Sequence, residues 1–228
     1  MSANPRLLEA LQDRRLFRAG QPMARGQGAT PSGFAELDEA LPWGGFPRGA
    51  LTEILLPAPG MGEVELIAAA WQRIGAQERL VFVAPPCVPY APALRAAGLP
   101  LARLAWVEAP LAQAPWAAEQ CLRAGCVGAV ALWFNGGDDR SLRRLQLAAE
   151  EGGCHGFVFR PLRHAANPSP SALRLQLEAS PGALRLRVLK CRGAVAPSFA
   201  LQRERGAGTG GAVIAGLRAP QPHAPARS

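Results

Sequence analysis

The residues whose types and spacing could do chemistry lie at positions 51–66, where an apolar strand meets a Pro/Gly loop and the start of a helix. This layout is typical of a phosphate-binding loop, whose pattern is G-x-x-x-x-G-K-[ST]. A Pro-Gly turn that never served a nucleotide is the alternative. Aligned on its second glycine, the degenerate loop comprises Pro57 in place of the first glycine, Gly60, Gly62, Glu63 in place of the lysine, and Val64 in place of the hydroxyl residue.

The missing lysine has a direct consequence for nucleotide binding. The chain has a single lysine, Lys190, so no shift of alignment restores it. Val64 cannot ligate Mg²⁺, and a Glu63 carboxylate about 4 Å from a phosphate turns attraction into repulsion, a change of roughly 8 kcal/mol at an effective dielectric of about 20. We therefore expect no tight ATP binding, no hydrolysis, no cofactor and no enzymatic activity.

Composition narrows the class of protein. The 228 residues fit one domain with a tail or two small domains, and 49% of them are hydrophobic, enough for a core. Neither a membrane-spanning run nor a signal-like segment is evident, which predicts a cytoplasmic protein, with nucleoid association left open. Five scattered cysteines indicate reduced thiols, and three histidines form no cluster with them, so we expect no metal.

Charge is segregated along the chain. Residues 1–155 hold 14 basic and 15 acidic residues, whereas residues 156–228 hold 11 basic and two acidic ones. This asymmetry predicts a polyanionic or acidic partner for the C-terminal third. A composition bias toward arginine is the alternative, but it explains only the choice of arginine over lysine.

Strand and helix patterns alternate from position 51 to position 160, which predicts an α/β core with a mostly parallel sheet covered on both faces. The predicted strands are 51–56, 80–84, 104–107, 127–134 and 155–160, and the predicted helices are 63–74, 91–97, 115–124 and 139–150. Residues 172–179 and 183–191 then alternate apolar and polar side chains, which predicts an antiparallel hairpin with one wet face.

The two ends of the chain differ from this core. We expect an N-terminal helix and linker at 1–29, a core at 30–193, and a flexible Ala/Gly/Pro-rich basic tail at 194–228. Both ends carry apolar residues that could dock on a partner or on the chain's own core. These candidate docking residues are Leu7, Leu8 and Leu11 in the helix, and Val213, Ile214 and Leu217 in the tail.

Several motifs together resemble RecA, over about residues 30–193. Residues 30–38 are similar to its T-G-x-x-x-L-D segment, residues 44–49 to its G-G-[LF]-P-x-G turn, and residues 90–98 to the helix after its second strand. The resemblance implies a RecA-like three-layer fold. A closer resemblance is to the ImuA family, the RecA-like accessory proteins of bacterial mutagenic translesion synthesis. It is carried by residues 46–54, 84–94, 138–150 and 169–178.

The ImuA resemblance implies a role in the SOS response to DNA damage, with a Y-family polymerase-like protein and RecA as partners. RecA-like ATPases carry an acid after the second strand and a Walker-B aspartate, but residues 83–87 and 132–135 hold neither. These departures favour a non-catalytic adaptor, with self-association open. A SulA-like inhibitor of cell division and a weak DNA-dependent ATPase are the alternatives.

The loop after residue 159 corresponds to one that faces single-stranded DNA in RecA. It has no aromatic residue for base stacking, so DNA contact there would be non-specific and salt-dependent. A solvated basic loop is the alternative. The candidate surface for DNA or an acidic partner is Arg160, Arg163, His164, Arg174, Arg185, Arg187, Lys190 and Arg192.

Overall fold

The alternating sequence pattern forms a layered α/β core. The computed structural model describes residues 28–136, 139–178, 183–193 and 200–204. The strands are β1 Ala29–Thr30, β2 Phe46–Pro47, β3 Ala50–Leu56, β4 Arg79–Val83, β5 Leu104–Val107, β6 Val127–Trp133, β7 His155–Pro161, β8 Leu173–Glu178, β9 Ala183–Cys191 and β10 Ala200–Glu204. The α-helices are α1 Ala35–Ala40, α2 Glu63–Gly75, α3 Ala91–Ala96, α4 Ala114–Arg123 and α5 Asp139–Gly152.

Eight strands form the central sheet, in the order β10-β9-β8-β3-β7-β6-β4-β5. The six strands from β8 to β5 are parallel to one another. Strand β9 runs antiparallel to both of its neighbours. The predicted α/β class, mostly parallel sheet and C-terminal antiparallel hairpin are therefore confirmed. Strands β1 and β2 pair separately as a small antiparallel sheet.

Apolar side chains project from both faces of the sheet and form two hydrophobic cores. One face packs on α2, where Leu66, Ile67, Trp71 and Ile74 recur at helical spacing and are buried. The indole of Trp71 stacks on Phe82 with ring centroids 5.0 Å apart. The other face packs on α4 and α5. The result is three layers in which the sheet is the middle one.

The sheet continues past the predicted end of the core. Strand β10 pairs with β9 and places Leu201 opposite Leu186, although residues 200–204 were assigned to the tail. A five-residue strand between Gly/Pro-rich segments carries too short a pattern to be recognised alone. The predicted N-terminal helix and all six candidate docking residues lie outside the described residues. Within those ranges, no helix has the length and apolar character needed to cross a bilayer.

A buried histidine ties the small sheet to the large one. The Nδ1 atom of His155 is 3.1 Å from the Pro47 carbonyl oxygen, and its Nε2 atom is 3.0 Å from the Thr30 hydroxyl. A carbonyl can only accept, so Nδ1 carries the proton and Nε2 accepts from the hydroxyl. Burial, with a smaller contribution from the Arg48 charge, lowers the pKa of His155 to about 4.

This histidine should make folding sensitive to acid. In the unfolded chain the imidazole takes up a proton below about pH 6.5, whereas in the folded protein it does so only near pH 4. The unfolded state binds more protons in this window, so stability should fall by about 3 kcal/mol as the pH drops through it. Urea unfolding between pH 4 and pH 7.5 measures the effect. We expect His155→Gln to flatten the pH dependence, and an unchanged slope would contradict this assignment.

Candidate site at the degenerate loop

The loop between β3 and α2 is closed by its own glutamate. Backbone φ is 84° at Gly60 and 109° at Gly62, which only glycine adopts readily. This path turns the Gly60 N–H toward the first residue of α2, where it donates to both Glu63 carboxylate oxygens at 2.8 and 3.1 Å. The Glu63 side chain is 1% exposed, at a helix N-terminus that favours negative charge. An internal carboxylate thus takes the place an anionic ligand would have.

The end of β6 completes this arrangement. The indole Nε1–H of Trp133 donates to Glu63 Oε1 at 3.3 Å. A Walker-B aspartate is expected at the end of this strand in a RecA-like ATPase, and here an indole N–H points at the glutamate that replaces the P-loop lysine. If the RecA resemblance gives the correct alignment, two positions that would serve Mg·ATP are here joined by a hydrogen bond. The Val64 side chain is buried, and burial raises the pKa of the nearby Cys87 thiol, with a smaller contribution from the Glu63 charge.

Strand β4 ends in an unusual backbone conformation beside the loop. Ala84 has φ 47°, in the left-handed region, which is unfavourable by about 1–2 kcal/mol for a residue with a side chain. Its N–H donates to the Val107 carbonyl at 2.9 Å. This is the segment in which a RecA-like ATPase would carry its water-positioning acid, and here it holds only apolar residues and a cysteine, over positions 83–87.

A buried ion cluster lies on the neighbouring strands. Glu53 on β3 is fully buried and accepts from Arg160 Nη1 on β7 at 2.6 Å and from Arg174 Nε on β8 at 2.7 Å. The two arginines are 1% and 6% exposed. Arg160 Nη2 also donates to the Gly136 carbonyl at 2.7 Å, and Arg174 Nη2 donates to the His164 carbonyl at 3.0 Å. Two guanidiniums therefore share one carboxylate, which leaves a net charge of +1 in the interior.

The prediction of a basic surface is wrong for three of its residues. Arg160, Arg174 and His164 are buried and are not available to DNA or to an acidic partner in this structure. The alternation of β8 indicated that Arg174 faces water, but the segment 164–167 folds over that face and its carbonyls accept from the Arg174 guanidinium. Burial, followed by the charge of Arg160, lowers the pKa of His164.

The other predicted basic residues lie nearer the surface. Arg163, Arg185, Arg187 and Arg192 are exposed. Arg187 and Arg192 lie 3.9 and 3.7 Å from the carboxylates of Glu178 and Glu150. Lys190 is half-buried and donates to the Ser169 carbonyl at 2.6 Å, and burial lowers its pKa, with smaller effects of two nearby arginines. The structure therefore does not bring the eight predicted residues into one surface.

A cleft opens where β3, β6 and β7 end, beside the loop. Its volume is about 320 Å³, and its walls include Pro57, Trp133, Phe134 and Phe159. Arg160 and Arg163 are its charged residues. The carboxyl ends of parallel strands are the usual place for ligands in open α/β sheets, so this is where the fold would accept one. In the described ranges, no three His, Cys, Asp or Glu side chains cluster as a metal site would require.

Glu53 and Trp133 organise this region, and neither is predicted as a site residue from the sequence. Glu53 had a readable signal, because it interrupts the apolar strand A-L-T-E-I-L-L, and a fully buried glutamate requires a cationic partner. Its partners, 107 and 121 residues downstream, could not be identified from local patterns. Trp133 carried no such signal, since a tryptophan at the end of a buried strand is ordinarily part of the core.

Comparisons with known proteins give a limited result. No protein-family profile matches the chain, and the comparison with curated proteins gives no match either. Among solved structures, the chain is similar to SulA from Pseudomonas aeruginosa, with 23% identity and a TM-score of 0.43. The alignment covers 49% of this chain and 97% of that one.

Proposed function

We propose that this chain is a non-catalytic, RecA-like adaptor of SOS-induced translesion DNA synthesis, which binds a Y-family polymerase-like protein, RecA or both. The resemblance of its motifs to the ImuA family suggests the setting. The observation that carries the non-catalytic part is the position of the Glu63 carboxylate, which accepts from Gly60 and Trp133 inside the loop. A fold that uses its loop in this way can serve as a rigid scaffold without nucleotide.

Exposed aromatic residues support a protein-binding role. Strand β5 forms one edge of the sheet, and its Trp106 is 47% exposed. Tyr90 and Val88, which follow β4, are more exposed still, and so is Trp116 on α4. Large exposed apolar side chains and the edge strand of a sheet are features of surfaces that bind other chains. The β5 edge is therefore our candidate for the contact.

DNA contact has a smaller part in this proposal. The exposed arginines Arg163, Arg185 and Arg187 could neutralise phosphates, and such binding would weaken steeply with salt. Three of the eight predicted basic residues are buried, so the described part of the chain offers little continuous basic surface. We therefore place protein binding first.

The proposal predicts which substitutions weaken the partner complex. With the purified Y-family polymerase-like protein or RecA on a biosensor, Trp106→Ala should weaken binding by about tenfold or more, because exposed tryptophans often dominate interfaces. Leu147→Ala is the matched control, since Leu147 is 51% exposed on α5, and it should leave affinity unchanged.

Binding of a tail-truncated variant, and binding of the full chain to each candidate partner, distinguish the adaptor proposal from its alternatives. A truncation for testing the tail should begin at residue 205, because residues 200–204 pair with β9. Loss of affinity in that variant would assign the contact to the tail. Binding to neither partner would contradict the adaptor proposal, and binding to the division GTPase instead would favour a SulA-like role.

A further inference from the structure

The cleft beside the loop has the dimensions of a ligand site. Its volume of about 320 Å³ is at the lower end of the range of about 300–1,000 Å³ for small-molecule pockets. It is lined by Trp133, Phe134 and Phe159 at its inner end and by Leu111, which is 64% exposed, at its mouth. Walls of this kind favour a large apolar group.

The charge of the cleft selects the kind of apolar ligand. Arg160 in its wall belongs to the cluster in which two arginines share the Glu53 carboxylate, so the cluster retains one positive charge in a low-dielectric setting. Among described residues, the buried Nε of Arg160 has no hydrogen-bond partner. Arg163 adds a second, exposed cation, and none of the described residues that line the cleft is acidic. Among the described residues, the cleft therefore combines apolar walls with charges that are all positive.

We propose that this cleft binds a carboxylate carried next to a large apolar side chain, as presented by an acidic–aromatic peptide segment of a partner protein. The apolar part would lie against the aromatic wall, while the carboxylate would face Arg163 and the charge behind it. Nucleic acid fits less well, because Arg163, the one exposed cation among the described residues that line the cleft, offers only a single phosphate contact. This inference stands whether or not the adaptor proposal does.

A matched pair of small probes tests the inference on the full chain. N-acetyl-L-phenylalanine and its amide differ only in the negative charge, and their binding can be measured by ligand-observed NMR. We expect millimolar affinity for the acid, as ligand size allows, and at least about tenfold weaker binding of the amide. Equal binding of the two probes, or no binding of either, would overturn the proposal.

Substitutions locate the probe without disturbing the buried cluster. Arg163→Gln should weaken binding of the acid about tenfold, because it removes the exposed cation at the cleft. Leu111→Asp should weaken it at least as much, since it places a like charge at the mouth. Arg187→Gln, a change of the same kind at an exposed site on β9, should have no effect. Unchanged binding of the acid in the Arg163 and Leu111 variants would contradict this location. So would displacement of the acid by an oligonucleotide at low salt, together with an equal loss of binding in the Arg187 variant.

Discussion

Replacing Glu53 by glutamine should lower the free energy of unfolding by about 3–5 kcal/mol, the largest stability change that we expect from one substitution outside the aromatic core. The carboxylate is the shared acceptor of Arg160 and Arg174, which are both buried. Without its charge, two desolvated guanidiniums lose their counterion and repel each other. Urea denaturation at neutral pH measures the loss.

Glu119 provides a matched control for this prediction. It is also a buried carboxylate with two arginine partners, but Arg123 and Arg144 are 42% and 54% exposed. Water can solvate those arginines once the carboxylate is neutral, so Glu119→Gln should lose only about 1 kcal/mol. Replacing Glu53, Arg160 and Arg174 together by apolar residues should recover much of the stability. Equal losses of unfolding free energy in the Glu53 and Glu119 variants would contradict the prediction that burial of the arginines causes the larger loss.

Removing the Glu63 side chain should turn the loop into an anion-binding site. In Glu63→Ala, the N–H groups of Gly60 and Trp133 lose their acceptor, and the N-terminus of α2 loses its nearest negative charge. Relief of the repulsion described above should raise affinity for pyrophosphate by at least about a hundredfold over the wild type. Isothermal titration without metal measures this, and the variant should also lose about 2 kcal/mol of stability.

Glu65→Ala is the control for that experiment. Glu65 lies two residues after Glu63 in the first turn of α2, and replacing it by alanine removes the same formal charge. The Gly60 N–H donates to Glu63 and not to Glu65, so removal of the Glu65 side chain should leave pyrophosphate binding close to that of the wild type. Similar gains in both variants would show that overall charge, and not occupancy of the loop by Glu63, controls anion binding.

Much of the fold could be predicted because its signals are local. Strand β6 is a continuous apolar run, β3 is an apolar run broken only by Thr52 and Glu53, and α2 has apolar residues at helical spacing between Gly62 and Gly75. The hairpin of β8 and β9 was equally clear from its period of two. In each case a short stretch of sequence contains the whole pattern, and parallel order followed from the alternation of strands and helices.

The site was less predictable because its contacts are distant in sequence. Glu63 and Val64 indicate in the sequence that the loop is degenerate. The sequence does not indicate that Glu63 accepts a hydrogen bond from Trp133, 70 residues away. Arginines on an alternating strand predict a wet face, and only the tertiary fold shows that the segment 164–167 covers Arg174. Polar residues at the ends of strands can be exposed or buried, and tertiary contacts with distant residues determine which of the two occurs.

The loop between β3 and α2 holds its own carboxylate at the position that we expect a bound phosphate to take. Titration of the purified wild-type chain with Mg·ATP, with phosphate release followed in the same samples, tests this most directly. We predict no saturable binding up to about 1 mM and no release above background, with or without single-stranded DNA. Micromolar binding of Mg·ATP accompanied by turnover that Glu63→Arg abolishes would contradict it.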